Sequence, residues 1–396
     1  MLFATPPTTP ELRDRLDELD DVRRQLGQEL ARPSPWMGTL RRLVRATSVE
    51  SSTSIEGFHV SPEEALALVG GEEQADPEDQ NRMAVACYSR AMDHVGVMAS
   101  DPAFRWLDRV ILDLHFDACY FQPDQCPGLW RGSPISVTAP GGGIAYVGPD
   151  TDDIPVLMDE VVGWLEHGDL DVHAVVRAAM AHLHLVSVHP FRDGNGRISR
   201  IVQSLALARE GLVSPEFGSI EEYLGQHTPA YYAALMDAQG GSYQPERDAS
   251  RWVNFCVRAH LDQARQRLAQ IEAAGARWSF LESLVEARSW PDRFVIALEQ
   301  SLIGGTDRRS YGKEADVSPA TASTDLRRLL DAGWITQRGR GRSIRYHASD
   351  KLRDDVSQTT AARADRPAPG QHHQRSPSRQ SQVSSSDRSQ RANGRT

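Results

Sequence analysis

The chain has little cysteine, no long apolar run, no surplus of positive charge and few of the alternating β-branched stretches that mark strands. Each scarcity excludes something. Four cysteines (Cys87, Cys119, Cys126 and Cys256) in 396 residues stand at no metal-like spacing, which argues against a zinc or disulfide framework and for reduced, mostly buried thiols. No run approaches the length of a membrane span, and the opening residues Met1 to Pro7 lack a charged-then-apolar signal layout, so a cytoplasmic protein with no membrane partner is expected. A net charge of −10 excludes an all-over nucleic-acid binder. Acids dominate the first three quarters and arginines crowd the end, however, which leaves room for a local basic surface. What remains is Leu-, Ala- and Arg-rich helical periodicity. The expected class is mainly α, in two or three domains.

In chain order, residues 11–31 have apolar positions at helical spacing, and Pro33 and Pro35 end that helix. A second helix is expected over 36–44. Ser51-Ser52-Thr53-Ser54-Ile55-Glu56-Gly57 is polar and turn-like, with Gly57 past a helix end and Glu56, judged locally, a solvated acid. Ser61-Pro62 opens a short helix that Gly70-Gly71 stops. Helices over 79–98 and 104–119 follow. Residues 135–147 carry the best hairpin signal, two short apolar strands around Pro140-Gly141-Gly142-Gly143. Helical patterns return over 153–168 and from 172 to His189. Another opens at Thr228-Pro229, with Thr228 as its cap, and a long one covers 252–271.

The chemistry concentrates in His189-Pro190-Phe191-Arg192-Asp193-Gly194-Asn195-Gly196-Arg197-Ile198-Ser199-Arg200. An apolar helix breaks at Pro190 into a loop, and a new helix begins at Gly196-Arg197. Glycines leading into a helix start let backbone N–H groups converge on an anion, with the helix dipole behind them. Arg197 and Arg200 share one face of the first turn. A Gly-rich turn with a satisfied core histidine would explain the glycines, but not the imidazole, Asp193 and both arginines together. That assembly suits phosphoryl or nucleotidyl transfer, which needs a base, a carboxylate for Mg²⁺ and donors for phosphate charge. His182 and His184, just upstream, alternate on a helix and so point far apart; packing accounts for them better than a metal pair does.

The motif His-Pro-Phe-x-Asp-Gly-Asn-Gly-Arg-x-x-Arg resembles the signature of the Fic family, with every specified position filled. Ser52-x-x-x-Glu56-Gly57 resembles that family's inhibitory motif, the hairpin over 135–147 its flap, and Tyr231-Tyr232 a tyrosine pair after the active-site helix. The resemblance covers about residues 36–260. It implies a protein adenylyltransferase that moves AMP from ATP to a Ser, Thr or Tyr hydroxyl of a target protein or of itself. It further implies His189 as the base, Asp193 on Mg²⁺, and Gly194, Asn195 and Gly196 around the phosphates. Arg197 would lie at the β-phosphate, Arg200 at the γ-phosphate, and Tyr231 and Tyr232 beside the nucleotide. Glu56 then becomes an inhibitor, a charge-assisted bidentate partner of Arg200 that competes with ATP.

Residues 292–349 follow the order helix, short helix, helix, hairpin, which resembles a winged-helix DNA-binding domain. Its third helix (318–332) presents Ser318, Thr321, Ser323, Thr324 and Arg327. The hairpin around Gly339-Arg340-Gly341 presents Arg338, Arg340, Arg342 and Arg345 to phosphate. The expected domains are an N-terminal helical region (1–105), a Fic core (106–275), a linker helix with a small α+β winged-helix unit (276–350), and a disordered basic tail (351–396). The expected small molecules are ATP and Mg²⁺. The expected partners are a hydroxyl-bearing protein and DNA, and exposed apolar faces on the first helices leave a homodimer open. The competing reading is a DNA-binding transcriptional regulator that uses the Fic portion as a nucleotide sensor. The complete motif favours the enzyme, because a sensor would not need both His189 and Asp193. Transfer of a different phosphate-containing group is the third, narrower reading.

Overall fold

The computed structural model describes residues 1–138, 142–211, 214–340 and 344–364, with side chains through 358. No described helix is long and apolar enough to cross a membrane. Helix α1 (Pro10–Leu30) is capped by Thr9, whose Oγ1 accepts from Leu12 N. It buries Leu12, Leu16, Leu19 and Leu26.

Helix α2 (Met37–Ile55) runs well past Val44, through the polar stretch expected to be a turn. The hydroxyls there bond back to their own helix (Thr53 to Glu50 O, 3.0 Å; Ser54 to Ser51 O, 2.9 Å), so they do not compete with it. Small side chains on the other face let a neighbouring backbone approach: a Cβ on Gly225 would lie 2.9 Å from Ser51 Cβ. Glu56 is the C-terminal cap, and Gly57 takes φ +88°, as the C′ position demands.

Helix α3 (Pro62–Val69) starts with a reciprocal Ser61–Glu64 capping box, and α4 (Gln80–Ser100) with Asp79. Helix α5 (Asp108–Cys119) begins later than residue 104. Phe104 and Trp106 pack edge-to-face in the preceding segment, where Trp106 N donates to Glu166. Strands β1 (Ser136–Thr138) and β2 (Ile144–Val147) form the antiparallel hairpin; its turn residues 139–141 lie outside the described residues.

Helices α6 (Ile154–His167), α7 (Ala174–Val188) and α8 (Asn195–Ala208) follow. Every residue of α7 from Val175 to Val188 is buried, which makes it the axis of the main core. Short helices α9 (Pro215–Gly218) and α10 (Glu221–Gln226) were not legible in the sequence. They lead into α11 (Thr228–Gln239). His227, not Thr228, caps α11, because Thr228 Oγ1 donates back to carbonyls of α10.

The largest departure is α12 (Ser250–Glu286), a single helix of 37 residues. It does not end at Ile271, and residue 275, where the core was expected to close, lies inside it. The intervening Ala-Ala-Gly-Ala run is alanine-rich enough to stay helical, and Ala274 is buried against Met37 and Leu40. Beyond it α13 (Phe294–Leu302), α14 (Arg308–Glu314), α15 (Pro319–Asp331), β3 (Ile335–Arg338) and β4 (Arg345–Ala348) reproduce the expected order. These enclose a second core of Trp278, Leu281, Phe294, Leu326 and Trp334. Residues 351–364 are not a disordered tail. They lie in α16 (Asp350–Ala364), which inserts fully buried Leu352 into that core with Val356 packed one turn on. Two apolar anchors at helical spacing outweigh a polar composition.

Candidate active site

The site begins where α7 must stop. His189 takes a left-handed conformation (φ +51°), closes the helix through its N–H to Leu185 O, and is followed by Pro190, which cannot continue it. Its Nδ1 donates to Val186 O at 3.0 Å. A carbonyl can only accept, so Nδ1 carries the proton and Nε2 keeps its lone pair. Burial pushes the imidazole below the ordinary histidine range. The Arg131 charge adds to that shift, against the opposing Val186 hydrogen bond.

Arg131, nearly fully buried, holds the turn. Its Nε donates to His189 O (2.9 Å) and its backbone N to Pro190 O (2.8 Å), while its Nη atoms reach Ser133 O and Pro149 O. The two latter carbonyls flank the β1–β2 hairpin, so one guanidinium ties hairpin and loop together. Tyr146, on β2, adds a hydrogen bond to Ser187 O and sets its ring 6.2 Å from that of His189.

The loop between α7 and α8 is built from within. Phe191 is wholly buried, stacked on His115 (centroids 3.6 Å apart, 8° between planes) and tilted against Trp130. Asn195 Oδ1 accepts from Phe191 N and its Nδ2 donates to Phe191 O. Both ends of that amide are therefore committed to the loop, and only its backbone can face a phosphate. Gly194 sits at φ +78°, and a Cβ there would lie 2.5 Å from Cys119 Sγ. His115 Nε2 donates to Asp193 O and its Nδ1 accepts from Gly128 N. Burial pushes His115 down to about 4, so it stays neutral in this role.

Helix α8 opens immediately after, and its first amides have no partner within the helix. Arg197 is fully buried beneath Phe58 and Phe121, and its Nη2 donates to Asp193 Oδ2 (2.9 Å) and Gln122 Oε1 (3.0 Å). Its Nε and Nη1 have no partner among the described residues. Asp193 is 39% exposed and meets Arg197 through Oδ2 alone. No group of three or more metal-ligating side chains occurs among the described residues. A lone exposed carboxylate fits a Mg²⁺ that arrives on a nucleotide, which takes one or two protein carboxylates, and does not fit a resident ion.

Arg200 is also fully buried. Its Nε donates to Ser52 Oγ (2.7 Å) and its Nη2 to both Ser52 O (3.0 Å) and Glu56 Oε1 (2.8 Å). The Glu56 contact is single rather than bidentate: Ser52 takes Nε and shares Nη2, and Nη1 has no partner among the described residues. Burial acts most strongly, against the Arg200 charge, but the Glu56 carboxylate together with the Tyr231 and Tyr88 oxygens outweighs it and holds the guanidinium above its ordinary range. The same carboxylate oxygen lies over Gly196, where a Cβ would stand only 2.4 Å from it. Glu56 thus occupies the positive end of α8, the place where helix geometry favours an anion.

The tyrosine pair divides. Tyr231 is buried, and its hydroxyl donates to His182 Nε2 at 3.1 Å. Tyr232 is 41% exposed with its hydroxyl 3.5 Å from Ile55 O, beside the α2 terminus. Only the second can border a ligand directly. His182 also donates from Nδ1 to Gln203, and His184 lies between Phe3 and Trp164. Burial pushes both to about 3, as neutral packing groups.

Of the C-terminal positions, Ser323, Thr324, Arg327, Arg338 and Arg340 are exposed and Thr321 is half-buried. Arg342 lies outside the described residues. Arg345 is engaged with Glu72 at 2.8 Å. Sequence reasoning missed Arg131, His115 and Trp130. Trp130 and Arg131 sit in an unremarkable loop and His115 on the buried face of α5, and only the folded chain brings them to His189 and Phe191.

Residues 106–207 match the model of the Fic/DOC family. A protein adenylyltransferase Fic of Culex quinquefasciatus is 35% identical over 118 residues, 30% of this chain and 22% of that protein. One of Nematostella vectensis is 24% identical over 272 residues, 65% of this chain and 57% of that protein. The chain therefore spans between under a quarter and just over half of these relatives. Among solved structures, a Fic family protein from Desulfovibrio desulfuricans G20 superposes with a TM-score of 0.56 at 19% identity, covering 87% of this chain and 98% of that one.

Proposed function

We propose that this chain, which carries a Fic/DOC domain over residues 106–207, transfers AMP from ATP to a hydroxyl side chain of a protein. The observation that carries the reading is the seat of His189: an imidazole with its Nδ1 committed and its Nε2 available, beside an anion-favouring helix start with two buried arginines. His189 Nε2 takes the proton of the target hydroxyl as that oxygen bonds to the α-phosphorus. The bond from the α-phosphorus to the bridging oxygen breaks, and pyrophosphate leaves. The first amides of α8, with Gly196 leaving them uncovered, receive phosphate oxygens, and the orphaned nitrogens of Arg197 face the same charge. Asp193 would hold Mg²⁺, which neutralises phosphate charge when bound. Arg200 takes the γ-phosphate once Glu56 leaves it, and Tyr232 borders the nucleotide.

ATP labelled separately at the α and γ positions tests this with the Glu56→Gly protein and a protein target. Label from α only is expected. Label from γ would mean phosphorylation, and no label from either would leave the domain a nucleotide sensor.

Arg131 positions the base without touching phosphate. Arg131→Ala should lower kcat about a hundredfold, the scale of a small misplacement of a catalytic group, with KM for ATP little changed. Arg131→Lys keeps the charge but not the fork, so it should fall comparably. A rise in KM alone would sink the assignment.

We read the C-terminal unit as a winged-helix module for duplex DNA, supported by exposed Arg327, Arg338 and Arg340 on its third helix and hairpin. Duplex binding that falls steeply with salt and weakens in Arg338→Ala is expected. Absence of binding at low salt would make the unit a protein-docking module.

A further inference from the structure

The loop that carries Asp193 is held from its buried side by a side chain outside the stretch from His189 to Arg200. His115, buried on α5, lies between two backbone groups. Its Nδ1 accepts from Gly128 N (2.9 Å) and its Nε2 donates to Asp193 O (2.9 Å). An amide N–H can only donate, so Nδ1 holds the lone pair and Nε2 the proton, the opposite tautomer to that of His189. Stacking on Phe191, with 8° between planes, fixes the plane of the ring and with it the direction of the Nε2–H. Gly128 (φ +77°) comes so near α5 that a Cβ would stand 3.3 Å from Leu112 O, and this close approach brings its N–H to the ring.

The consequence lies on the far side of the Asp193–Gly194 peptide. That bond is trans, so its C=O and N–H point in opposite directions. With the carbonyl drawn towards His115, the Gly194 N–H is turned away from α5, and it has no backbone acceptor among the described residues. Asp193 is thereby fixed twice, through its carbonyl by His115 and through Oδ2 by Arg197. We propose that His115 is a positioning residue for the nucleotide. It sets the backbone from which the Asp193 carboxylate and the start of α8 meet Mg²⁺ and phosphate. The proposal rests on the nucleotide reading of this cleft. It divides the support of the site in two, with Arg131 holding the base and His115 the phosphate side.

Calorimetry with Mg²⁺·ATP on the full-chain Glu56→Gly protein tests it through two substitutions. His115→Gln puts an amide nitrogen near the position of Nε2 and can keep the bond to Asp193 O. His115→Asn puts its amide near Nδ1 and can keep only the bond to Gly128 N. Both lose the stack on Phe191, so their thermal midpoints should fall together. Affinity for Mg²⁺·ATP should fall about tenfold in His115→Asn and stay within about threefold of the parent in His115→Gln. In transfer assays the loss should appear in KM for ATP more than in kcat, the reverse of Arg131→Ala. Equal affinities in the two variants would reduce His115 to a packing group and overturn the proposal, as would a loss confined to kcat. Nitrogen-15 spectra of the unsubstituted protein need no variant: the His115 ring should carry its proton on Nε2, and a proton on Nδ1 would overturn the proposal. Affinity does not depend on which bond of ATP breaks. A difference between the two variants in a protein that labels from neither position would sink AMP transfer and leave His115 in its role, whereas a Glu56→Gly parent that binds no Mg²⁺·ATP would overturn both.

Discussion

Glu56→Gly is expected to raise ATP-dependent labelling by about ten- to a hundredfold, the rate equivalent of one charge-assisted contact of roughly 1.5–3 kcal/mol. The sign follows from position. Glu56 Oε1 lies 2.8 Å from Arg200 and over Gly196, so the carboxylate and the terminal phosphate of ATP compete for one guanidinium and one helix end. Glycine removes the competitor and leaves the Ser52 bonds that hold Arg200 in place. Three accompanying results would separate this account from general loosening. Glu56→Gln, which keeps a hydrogen-bond acceptor without the charge, should activate less. Arg200→Ala should cancel the gain. Without nucleotide the glycine protein should melt lower than the parent, because a buried guanidinium has lost its counter-charge, and ATP should restore more of its stability than it adds to the parent. Labelling that is unchanged or lower in Glu56→Gly would remove Glu56 as an inhibitor.

The second large effect is the loss expected at His189. In the Glu56→Gly background, His189→Ala should reduce labelling by about a hundred- to ten-thousandfold, the usual span for general base catalysis. ATP affinity should be nearly unchanged, since the imidazole bonds to Val186 O and not to the α8 terminus. The pH profile gives an independent reading. The neutral ring is the base, and burial lowers its pKa, so the active form persists below the ordinary histidine value. Rate should stay flat as pH falls through about 6.5 and drop only below it. A profile that falls from neutral pH downward, or labelling retained in His189→Ala, would take the histidine out of its role.

How much of this was legible in the sequence depended on how local each feature is. The residues from His189 to Arg200 fold as one loop and one helical turn, so their order already carried their geometry. Glu56 is 144 positions from Arg200, and nothing in its own neighbourhood marks it; judged locally it was a solvated acid. Only the resemblance to a known motif picked it out. Arg131 was invisible because its partners are backbone carbonyls, His189 O among them 58 positions away, and carbonyls leave no trace in residue type. The same limit hid the helical state of residues 51–55. Serines and threonines suit a turn until their hydroxyls bond back to the helix, which only the folded α2 reveals. In α16, counting composition over the whole tail diluted Leu352 and Val356, whose spacing, not their number, fixes the segment.

Helix α12 joins the two cores without a break. At about 1.5 Å per residue, its 37 residues make a strut of roughly 55 Å. Trp252 is buried at one end of it and Trp278 and Leu284 at the other, so neither unit can swivel on a linker. Whatever the C-terminal unit grips is thereby held at a set distance and bearing from His189. Reach, and not only recognition, then selects which hydroxyls come within range, as a jig selects where a drill can fall.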